Sequence, residues 1–463
     1  MLQKLLTIIF CCFSCISIAQ SENSAANFLS QLIQIKSDFG QEQNAIDFIE
    51  NWAQKEGFYT TKLNTGESSD NIIVSIFPLN LHKPNVVFTS HLDVVPVSDT
   101  VNWKFPPYSG VIHQDTIWGR GAIDCKGLAV MQLYALKKWK DSINQKDFPY
   151  NISFLGLVEE ENKSNNGAAF IADRYIDTLN PMVIFGEGGA GLDHVLKSDP
   201  NQPIFGVSVA DKSLLWLKLE AKSYGFGHGA VPSELYANKR LIKALINLID
   251  EEKHFVFNDL VKSMFHNLGE LEGGTRGFFI KRIYWPIFWP LVKKNFREGQ
   301  PFHALVDNTI SITKIESSST ATNQMSDKAV AYLDCRLLPG ADVEKFIKKL
   351  KRTTLFRVDF EIMYQGPAAI QSPETIFFQK MCEAIKEVHP GAATVPILFP
   401  ASTDNNFFRQ KGIPVYGIIP SLLNQSLFES VHNQNERIGV NNLQKGIDVY
   451  YHFLKSLPPK RLI

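Results

Sequence analysis

The chain has 463 residues, more than a single hydrophobic core usually serves, so we expect two domains. Lysine plus arginine and aspartate plus glutamate both number 47, and this balance leaves no broad positive field for a phosphate backbone. Nucleic acid is therefore not an expected partner.

The first residues have the order typical of a secretory signal peptide. A basic start with Lys4 precedes a short apolar run, and the small residues Ser17 and Ala19 stand before the polar Gln20. The run is short for a bilayer and no basic stop-transfer cluster follows it, which favours cleavage over a membrane anchor. We predict that residues 1–19 are removed, that the protein is secreted or periplasmic, and that no stable membrane span remains.

Six cysteines are present, and three of them lie in this leader. The three that remain, Cys125, Cys335 and Cys382, are odd in number and widely spaced, which argues against a disulfide framework and against a cysteine zinc site. We expect buried, inert thiols. Any metal must then be held by histidine and carboxylates.

Apolar runs and helical segments alternate over residues 20–205. The apolar runs are NIIVSIF, NVVFTSHL, NISFLGLV and PMVIFGE, and the segments between them repeat apolar residues at helical spacing. This alternation is typical of a mostly parallel sheet with helices on both faces. The pattern resumes over residues 366–463 with the strand-like GIPVYGII, so we predict that the two ranges form one α/β domain.

Residues 206–365 have a different character. Here VSVADKSLLWLKLEAKSYG and DKAVAYLDCRLL show the period of half-exposed antiparallel strands, which predicts an inserted α+β lid domain. Within it the segment GFFIKRIYWPIFWPLVKKNF is unusually aromatic, and Pro286 and Pro290 argue against a spanning helix. We expect the segment to add core or to contact another subunit, in preference to lining the site or touching a membrane.

Ligand-type side chains close the apolar runs one after another. They are His91 and Asp93, then Asp124 in a glycine-rich turn, the acidic triplet from Glu159 to Glu161, then Glu187, and far downstream His432. In open α/β sheets ligands bind at the carboxyl ends of the strands, so these side chains should converge. Imidazole and carboxylate ligands suit a divalent ion such as zinc.

The acidic triplet is the hardest of these features to explain without a metal. Adjacent carboxylates at the end of a buried strand repel each other unless cations or protons offset the charge, and a metal pair supplies that offset. For the triplet alone a solvated acidic loop is the simpler explanation. The five motifs in this order favour a metal site.

A resemblance to a known family covers nearly the whole mature chain. It is carried by SHLDVV, GRGAIDCKG, EEEN followed by Gly167, FGEGG, GFGHGAVP, DCRLLPG, STDNNF and SVHNQNER. This series resembles the two-zinc metallopeptidases that include the aminoacylases, glutamate carboxypeptidase and carboxypeptidase S. The long aromatic insert is most similar to the branch of carboxypeptidase S and the secreted N-acyl amino acid synthase/hydrolase.

The resemblance implies a fold and a set of roles. The fold is a zinc-exopeptidase catalytic domain with an inserted lid and dimerisation domain, which allows a homodimer. Asp93 would orient a metal-ligating histidine, Glu160 would be the general base, and the peptide bond from Asp124 to Cys125 would be cis. The implied metal ligands are His91, Asp124, Glu161, Glu187 and His432, holding two Zn²⁺, although Co²⁺ or Mn²⁺ suits the same set.

The implied reaction is hydrolysis of an amide next to a free carboxylate. Two zinc ions would hold a bridging water, Glu160 would take its proton, and His228 would stabilise the oxyanion, often from a partner subunit. Arg336 and Asn323, which are spaced as in the related enzymes, would bind the substrate's carboxylate. The chain carries Asn406 where relatives have a basic residue, with Arg409 nearby as a further binding candidate, and it carries Lys163 and Ser164 where relatives have glycines.

The expected substrate is a small peptide or an N-acyl amino acid, cleaved as by a carboxypeptidase or an aminoacylase. An acyl pocket lined by the aromatic insert is a further hypothesis. Two alternatives remain open, an aminopeptidase or dipeptidase of the same fold and a non-catalytic binding relative. The second of these predicts missing ligands or a missing base, and the sequence has all of them.

Overall fold

A computed structural model of the protein describes residues 24–66, 69–142, 148–223, 228–230, 234–251, 255–297 and 302–458. The predicted signal peptide, residues 1–19, lies outside these ranges. Within them no helix is both long enough and apolar enough to cross a membrane.

The described strands, in chain order, are β1 (Tyr59–Leu63), β2 (Asn71–Ser75), β3 (Asn85–His91), β4 (Ile112–His113), β5 (Thr116–Trp118), β6 (Asn151–Leu157), β7 (Pro181–Leu192), β8 (Ile204–Asp211), β9 (Ser213–Lys222), β10 (Thr309–Ser317), β11 (Lys328–Leu337), β12 (Asp359–Gln365), β13 (Ala393–Phe399), β14 (Val415–Leu422) and β15 (Arg437–Gly439).

The described helices are α1 (residues 24–34), α2 (Gln43–Lys55), α3 (Lys126–Ser142), α4 (Ala168–Arg174), α5 (Ile176–Leu179), α6 (Ala237–Ile249), α7 (Asp259–Glu272), α8 (Gly274–Ile280), α9 (Trp289–Val292), α10 (His303–Val306), α11 (Val343–Thr353), α12 (Ile376–Val388), α13 (Asn405–Arg409), α14 (Gln425–Phe428) and α15 (Val440–Ser456). Single 3₁₀ turns lie at Leu79–Leu81, Pro286–Phe288 and Lys293–Phe296.

A mixed, mostly parallel sheet of eight strands organises the large domain, in the order β1-β2-β6-β3-β7-β14-β8-β13. The four central strands β6, β3, β7 and β14 run parallel, and β13 runs parallel to β8. β1 and β2 are antiparallel at one edge. This confirms the predicted α/β class.

Both faces of this sheet are buried, as the continuous apolar runs predict. Every residue of β3 and of β6 is buried. Because side chains alternate between faces, Phe88 packs into the core under α3 and α15, whereas its neighbour Val87 packs into a second cluster with α4 and α13. The sheet is therefore a layer between two sets of helices.

A second sheet is fully antiparallel, in the order β10-β11-β9-β12. β9 alternates buried and half-buried residues, and its buried face packs with α6 and α11 around a core of its own. β8 continues in the large sheet to Asp211, and β9 begins at Ser213. The chain thus passes between the sheets at Lys212, six positions beyond Gly206.

The aromatic segment packs on the large domain and not on the antiparallel sheet. α7 contacts β13, and Phe265, Ile283 and Phe296 belong to the same core cluster as α3 and α15. Pro286 and Pro290 keep this stretch to short turns. The residues predicted to add core do so, although on the large domain.

Candidate metal centre

Asp124 lies at the centre of the predicted ligand set. Its Oδ1 is 3.0 Å from Nε2 of His91, and its Oδ2 is 3.0 Å from Nε2 of His432. Nε2 of His91 is also 3.8 Å from a carboxylate oxygen of Glu187, and Nε2 of His432 is 3.1 Å from Oε1 of Glu161. The five predicted ligands therefore form two groups, one with Glu187 and one with Glu161, that share Asp124.

The parallel strands bring these residues together. β3 ends at His91, and Glu160 and Glu161 follow its neighbour β6. Glu187 differs from expectation, because β7 does not end there. The pairing with β14 skips from Gly186 to Gly189, so Glu187 leaves the ladder at a bulge, the usual device for redirecting one side chain.

Glycine is required at this bulge. A Cβ on Gly189 would lie 1.8 Å from the carbonyl oxygen of Gly206 on β8. Only a residue without a side chain allows the two strands to approach this closely. In the FGEGG motif Gly189 therefore allows the close approach of the two strands, while Glu187 extends into the site.

Asp93 contacts both His91 and the loop that carries Glu160. Its carboxylate accepts hydrogen bonds from the backbone N–H of Glu160 at 3.2 Å and of Glu161 at 2.9 Å. Nδ1 of His91 lies 3.0 Å from the Asp93 carbonyl oxygen and 3.4 Å from its Oδ1. One buried residue thus fixes the imidazole and the loop after β6.

The acidic triplet divides into two roles. The carboxylate of Glu159 accepts hydrogen bonds from the side chain of Asn166 at 2.7 Å and from its backbone at 3.2 Å. Glu159 therefore closes its own loop, while Glu160 and Glu161 face the site. The first acid binds within its own loop, whereas Glu160 and Glu161, to which the resemblance assigns chemical roles, line the cavities of the site.

Sequence reasoning missed Glu436, which organises the turn before α3. This fully buried carboxylate accepts hydrogen bonds from the backbone N–H groups of Gly121, Ile123 and Asp124, and pairs with Arg120 at 2.8 Å. Its signal was the acid four residues after the histidine in SVHNQNER. It holds the shared ligand in place through the backbone.

Asp404 was also missed as a site residue, although its motif STDNNF was noticed. It is 5% exposed, and the side chain of Ser164 lies within hydrogen-bonding reach of its carboxylate. Burial raises its pKa to about 7. A buried carboxylate beside the predicted ligands adds to the negative charge that the site has to offset.

The buried acids fit a pair of divalent cations. Burial and the charge of Asp124 raise the pKa of Glu187 to about 7, and burial and the charge of Glu187 raise the pKa of Glu160 well above its usual range. Histidine and carboxylate donors occur in three overlapping groups, each within 4.8 Å, and they suit zinc-type ions, which would relieve this repulsion. Residues His91, Asp124, Glu161, Glu187 and His432 would hold them.

Cys125 is near one group of predicted ligands. Its sulfur lies with His91, Asp124 and Glu187, and burial raises the pKa of the thiol. The Asp124–Cys125 peptide bond is cis, as the resemblance implied. Cys125, Cys335 and Cys382 are all free and buried, which confirms the prediction of inert thiols.

The sequence model of peptidase family M20/M25/M40 matches residues 87–456. The chain belongs to this family. Members include a dinuclear metal-binding peptidase of Bacillus subtilis, whose structure covers 94% of this chain and 98% of its own with 13% identity and a TM-score of 0.58. The chain is accordingly a metal-dependent hydrolase of the peptidase type.

Relatives of M20 type span most of the chain. A probable carboxypeptidase S-like 2 of Dictyostelium discoideum is 24% identical over 80% of this chain and 71% of its own. The mouse N-fatty-acyl-amino acid synthase/hydrolase PM20D1 is 24% identical over 79% of this chain and 73% of its own. The M20 carboxypeptidase Sso-CP2 of Sulfolobus solfataricus has a similar fold, with a TM-score of 0.71 and 20% identity over 93% of this chain and 98% of its own.

Two cavities meet at Glu160. One, of about 330 Å³, is walled by apolar side chains beyond the ligands, namely Ile123, Ala190, Phe399, Ile419, Leu423, Phe428 and Val431. The other, of about 260 Å³, is lined by Lys163, Trp216, Arg336 and Tyr364. The aromatic insert contributes no described residue to either cavity, which corrects the hypothesis that it lines an acyl pocket.

The predicted substrate-binding residues separate in the fold. Arg336 lines the polar cavity, where its Nε and Nη2 donate to Asp334. His228 and Asn323 lie side by side in the inserted domain, where the N–H of Gly229 donates to the Asn323 carbonyl, and His228 is exposed. Neither lines the two cavities within this chain.

The assignment of Arg409 to substrate binding is corrected by the structure. Arg409 is 2% exposed, and its Nη1 is 2.7 Å from Asp211. The guanidinium also donates to Asn406 and to the carbonyl of Val415. All the hydrogen-bond and ion-pair partners of Arg409 named here lie inside the protein, so Arg409 stabilises the fold and does not face substrate.

Replacing Arg409 by methionine should therefore cost stability and not substrate affinity. Leaving the buried Asp211 carboxylate unpaired should lower the free energy of unfolding by about 3–5 kcal/mol, measured by denaturant titration. Lys411→Met, which removes an exposed ion pair with Asp173 at 2.7 Å, is the control and should cost at most about 1 kcal/mol. A raised KM with unchanged stability would show that Arg409 binds substrate after all.

Replacing Glu436 by glutamine should weaken metal binding without removing a ligand. The amide keeps the shape but loses one acceptor for the turn that carries Asp124, and losses of this kind typically cost about 10- to 100-fold in metal affinity. Calorimetric titration of the metal-stripped protein with zinc measures the effect. Glu429→Gln, on the exposed end of the neighbouring helix, should leave the affinity unchanged, and equal affinities for both variants would contradict the positioning role.

Proposed function

We propose that this M20 hydrolase cleaves an amide bond next to a free carboxylate, in an N-acyl amino acid or at the end of a short peptide. One observation carries the proposal. Glu160 lies where an apolar cavity meets a polar cavity that contains Arg336. A substrate whose amide lies at Glu160 would place its apolar acyl group in the first cavity and its carboxylate in the second.

Arg336 is suited to the carboxylate side. Asp334 holds Nε and Nη2 at 2.8 and 3.0 Å, which fixes the plane of the guanidinium, and Nη1 has no hydrogen bond to a described residue. A preoriented arginine loses less side-chain freedom when it binds an anion. Lys163 lines the same cavity and adds positive charge.

The chain's own residues supply the proton chemistry. When bound to these residues, divalent cations would supply activation of a water molecule and polarisation of the scissile carbonyl. The Glu160 carboxylate would take a proton from that water and deliver it to the leaving nitrogen. The hydrogen bonds from the backbone to Asp93 keep this carboxylate and the Glu161 ligand in register.

The finer parts of the proposal concern the metal, the location and a second copy. Zinc is the proposed metal, with cobalt or manganese able to occupy the same donors. Export through residues 1–19 places the enzyme outside the cytoplasm. Because His228 lies away from both cavities of its own chain, its proposed contact with the oxyanion comes from a partner in a homodimer.

Glu160→Gln should abolish hydrolysis and keep the metal. Removing a general base typically lowers the rate by about 10²- to 10⁴-fold, while the five ligands remain. Glu159→Gln is the matched control, because Glu159 is bound to Asn166, and it should retain activity. The assay uses amino-blocked dipeptides and N-acyl amino acids with metal content measured in parallel. Cleavage of free-amine dipeptides alone would indicate a dipeptidase instead.

Arg336→Met should remove the preference for a free carboxylate. Hydrogen bonds to charged groups contribute about 1.5–3 kcal/mol, so kcat/KM for the free acid should fall by about 10- to 100-fold. Activity on the matching methyl ester should change little. Lys163→Met is the comparison from the same cavity. If that variant alone loses the preference for the acid, the carboxylate binds Lys163 and the assignment to Arg336 is wrong.

A further inference from the structure

The aromatic segment has a second property besides its aromatic content. Between Arg276 and Arg297 the chain carries six basic residues and no acidic one. The protein as a whole is neutral, with 47 basic and 47 acidic residues. We call residues 276–297 the basic aromatic segment.

The segment is anchored firmly at its inner side. Ile283 is 8% exposed and Phe296 is fully buried, and both belong to the core of the large domain. The ring of Tyr284 lies 6.2 Å from that of Phe257. The outer side is therefore presented by a packed scaffold.

The outer side exposes large apolar side chains that contact one another. Trp285 is 43% exposed and Ile287 is 76% exposed, and Phe278 and Phe279 are exposed by 44% and 47%. Phe288 connects them, since its ring lies 5.2 Å from Phe279 and 6.2 Å from Trp285. Clustered exposed aromatics of this kind mark an interaction surface.

The positive charges of this segment are only partly neutralised by described residues. Arg276 and Lys281 pair with glutamates of α7. Lys293, Lys294 and Arg297 have no ion-pair partner among the described residues and are exposed. The segment thus combines exposed aromatics with positive charges that no described acidic residue neutralises.

The geometry points to an anionic lipid surface as the partner of this segment. Tryptophan and phenylalanine insert at the boundary between headgroups and acyl chains, and nearby lysine and arginine attract anionic headgroups. A second copy placed face to face would bring the same cations together, which opposes self-association through this patch. Proline-broken turns rule out insertion across the bilayer and leave shallow attachment. This inference does not depend on the proposed function.

Vesicle binding by the full chain tests the inference. Co-sedimentation with vesicles of equal phosphatidylglycerol and phosphatidylcholine is compared for the wild type, Trp285→Ser/Ile287→Ser and Lys293→Gln/Lys294→Gln/Arg297→Gln. Each cation near an anionic surface contributes about fivefold, so the triple variant should bind roughly 100-fold more weakly. Added salt should weaken wild-type binding. All variants should hydrolyse soluble substrate normally.

Phe356→Ser is the matched control. Phe356 is 72% exposed and follows the basic helix α11, which packs in the core of the inserted domain and not in the core that anchors the segment. This variant should bind vesicles as the wild type does. Equal loss in the control would overturn the inference, because it would show general adhesion of exposed aromatics.

A second measurement is specific to the patch and independent of the apolar leader. Brominated phosphatidylglycerol should quench tryptophan fluorescence in the wild type and less in Trp285→Phe. Unchanged quenching in that variant, or vesicle binding equal in all variants, would overturn the inference. So would self-association that the Trp285 and Ile287 changes abolish without any vesicle binding, since it would make a second copy the partner.

Discussion

The buried negative charge around Asp124 is the constraint on which the rest of the site depends. The site collects Asp124, Glu160, Glu161, Glu187 and Asp404 at the carboxyl edge of one sheet. Like charges in a buried site are costly without cations, so the acids and the metals require each other. The protein secures the acids through the backbone, since Asp93 and Glu436 accept hydrogen bonds from the peptide groups that carry them.

The passage between the two sheets links the site to the inserted domain. The ammonium of Lys212 donates to the carbonyls of Ala304 and Asp307, and burial lowers its pKa to about 7. Next to it Asp211 binds Thr403, which lines both cavities, and Arg409. The pair Asp211 and Lys212 therefore connects the cavity wall to the start of β9. The strand next to β9, β11, carries Arg336. Arg409, which was predicted to bind substrate, is part of this structural link through its ion pair with Asp211.

The basic aromatic segment shows how one stretch of sequence serves two environments. Phe296 completes the core of the large domain, while Trp285 and Ile287 remain exposed. Helical or strand periodicity separates such faces in regular elements, but the prolines reduce this stretch to short turns. The sequence therefore indicated an unusual segment without indicating which side chains face outward.

By itself, the sequence determined the α/β class, because apolar runs and the helical segments between them are local patterns. Through the resemblance it also predicted the metal ligands and the choice of Glu160 over Glu159 as the general base. It did not determine where Glu187 leaves its strand, since that depends on the close approach of β8 to Gly189. Nor did it distinguish the environment of Arg336 from that of Arg409, because both arginines lie near sequence motifs. Only in the folded protein does Arg409 form an ion pair with the buried Asp211 of strand β8. Burial and pairing are properties of distant residues brought together, and only the tertiary structure decides them.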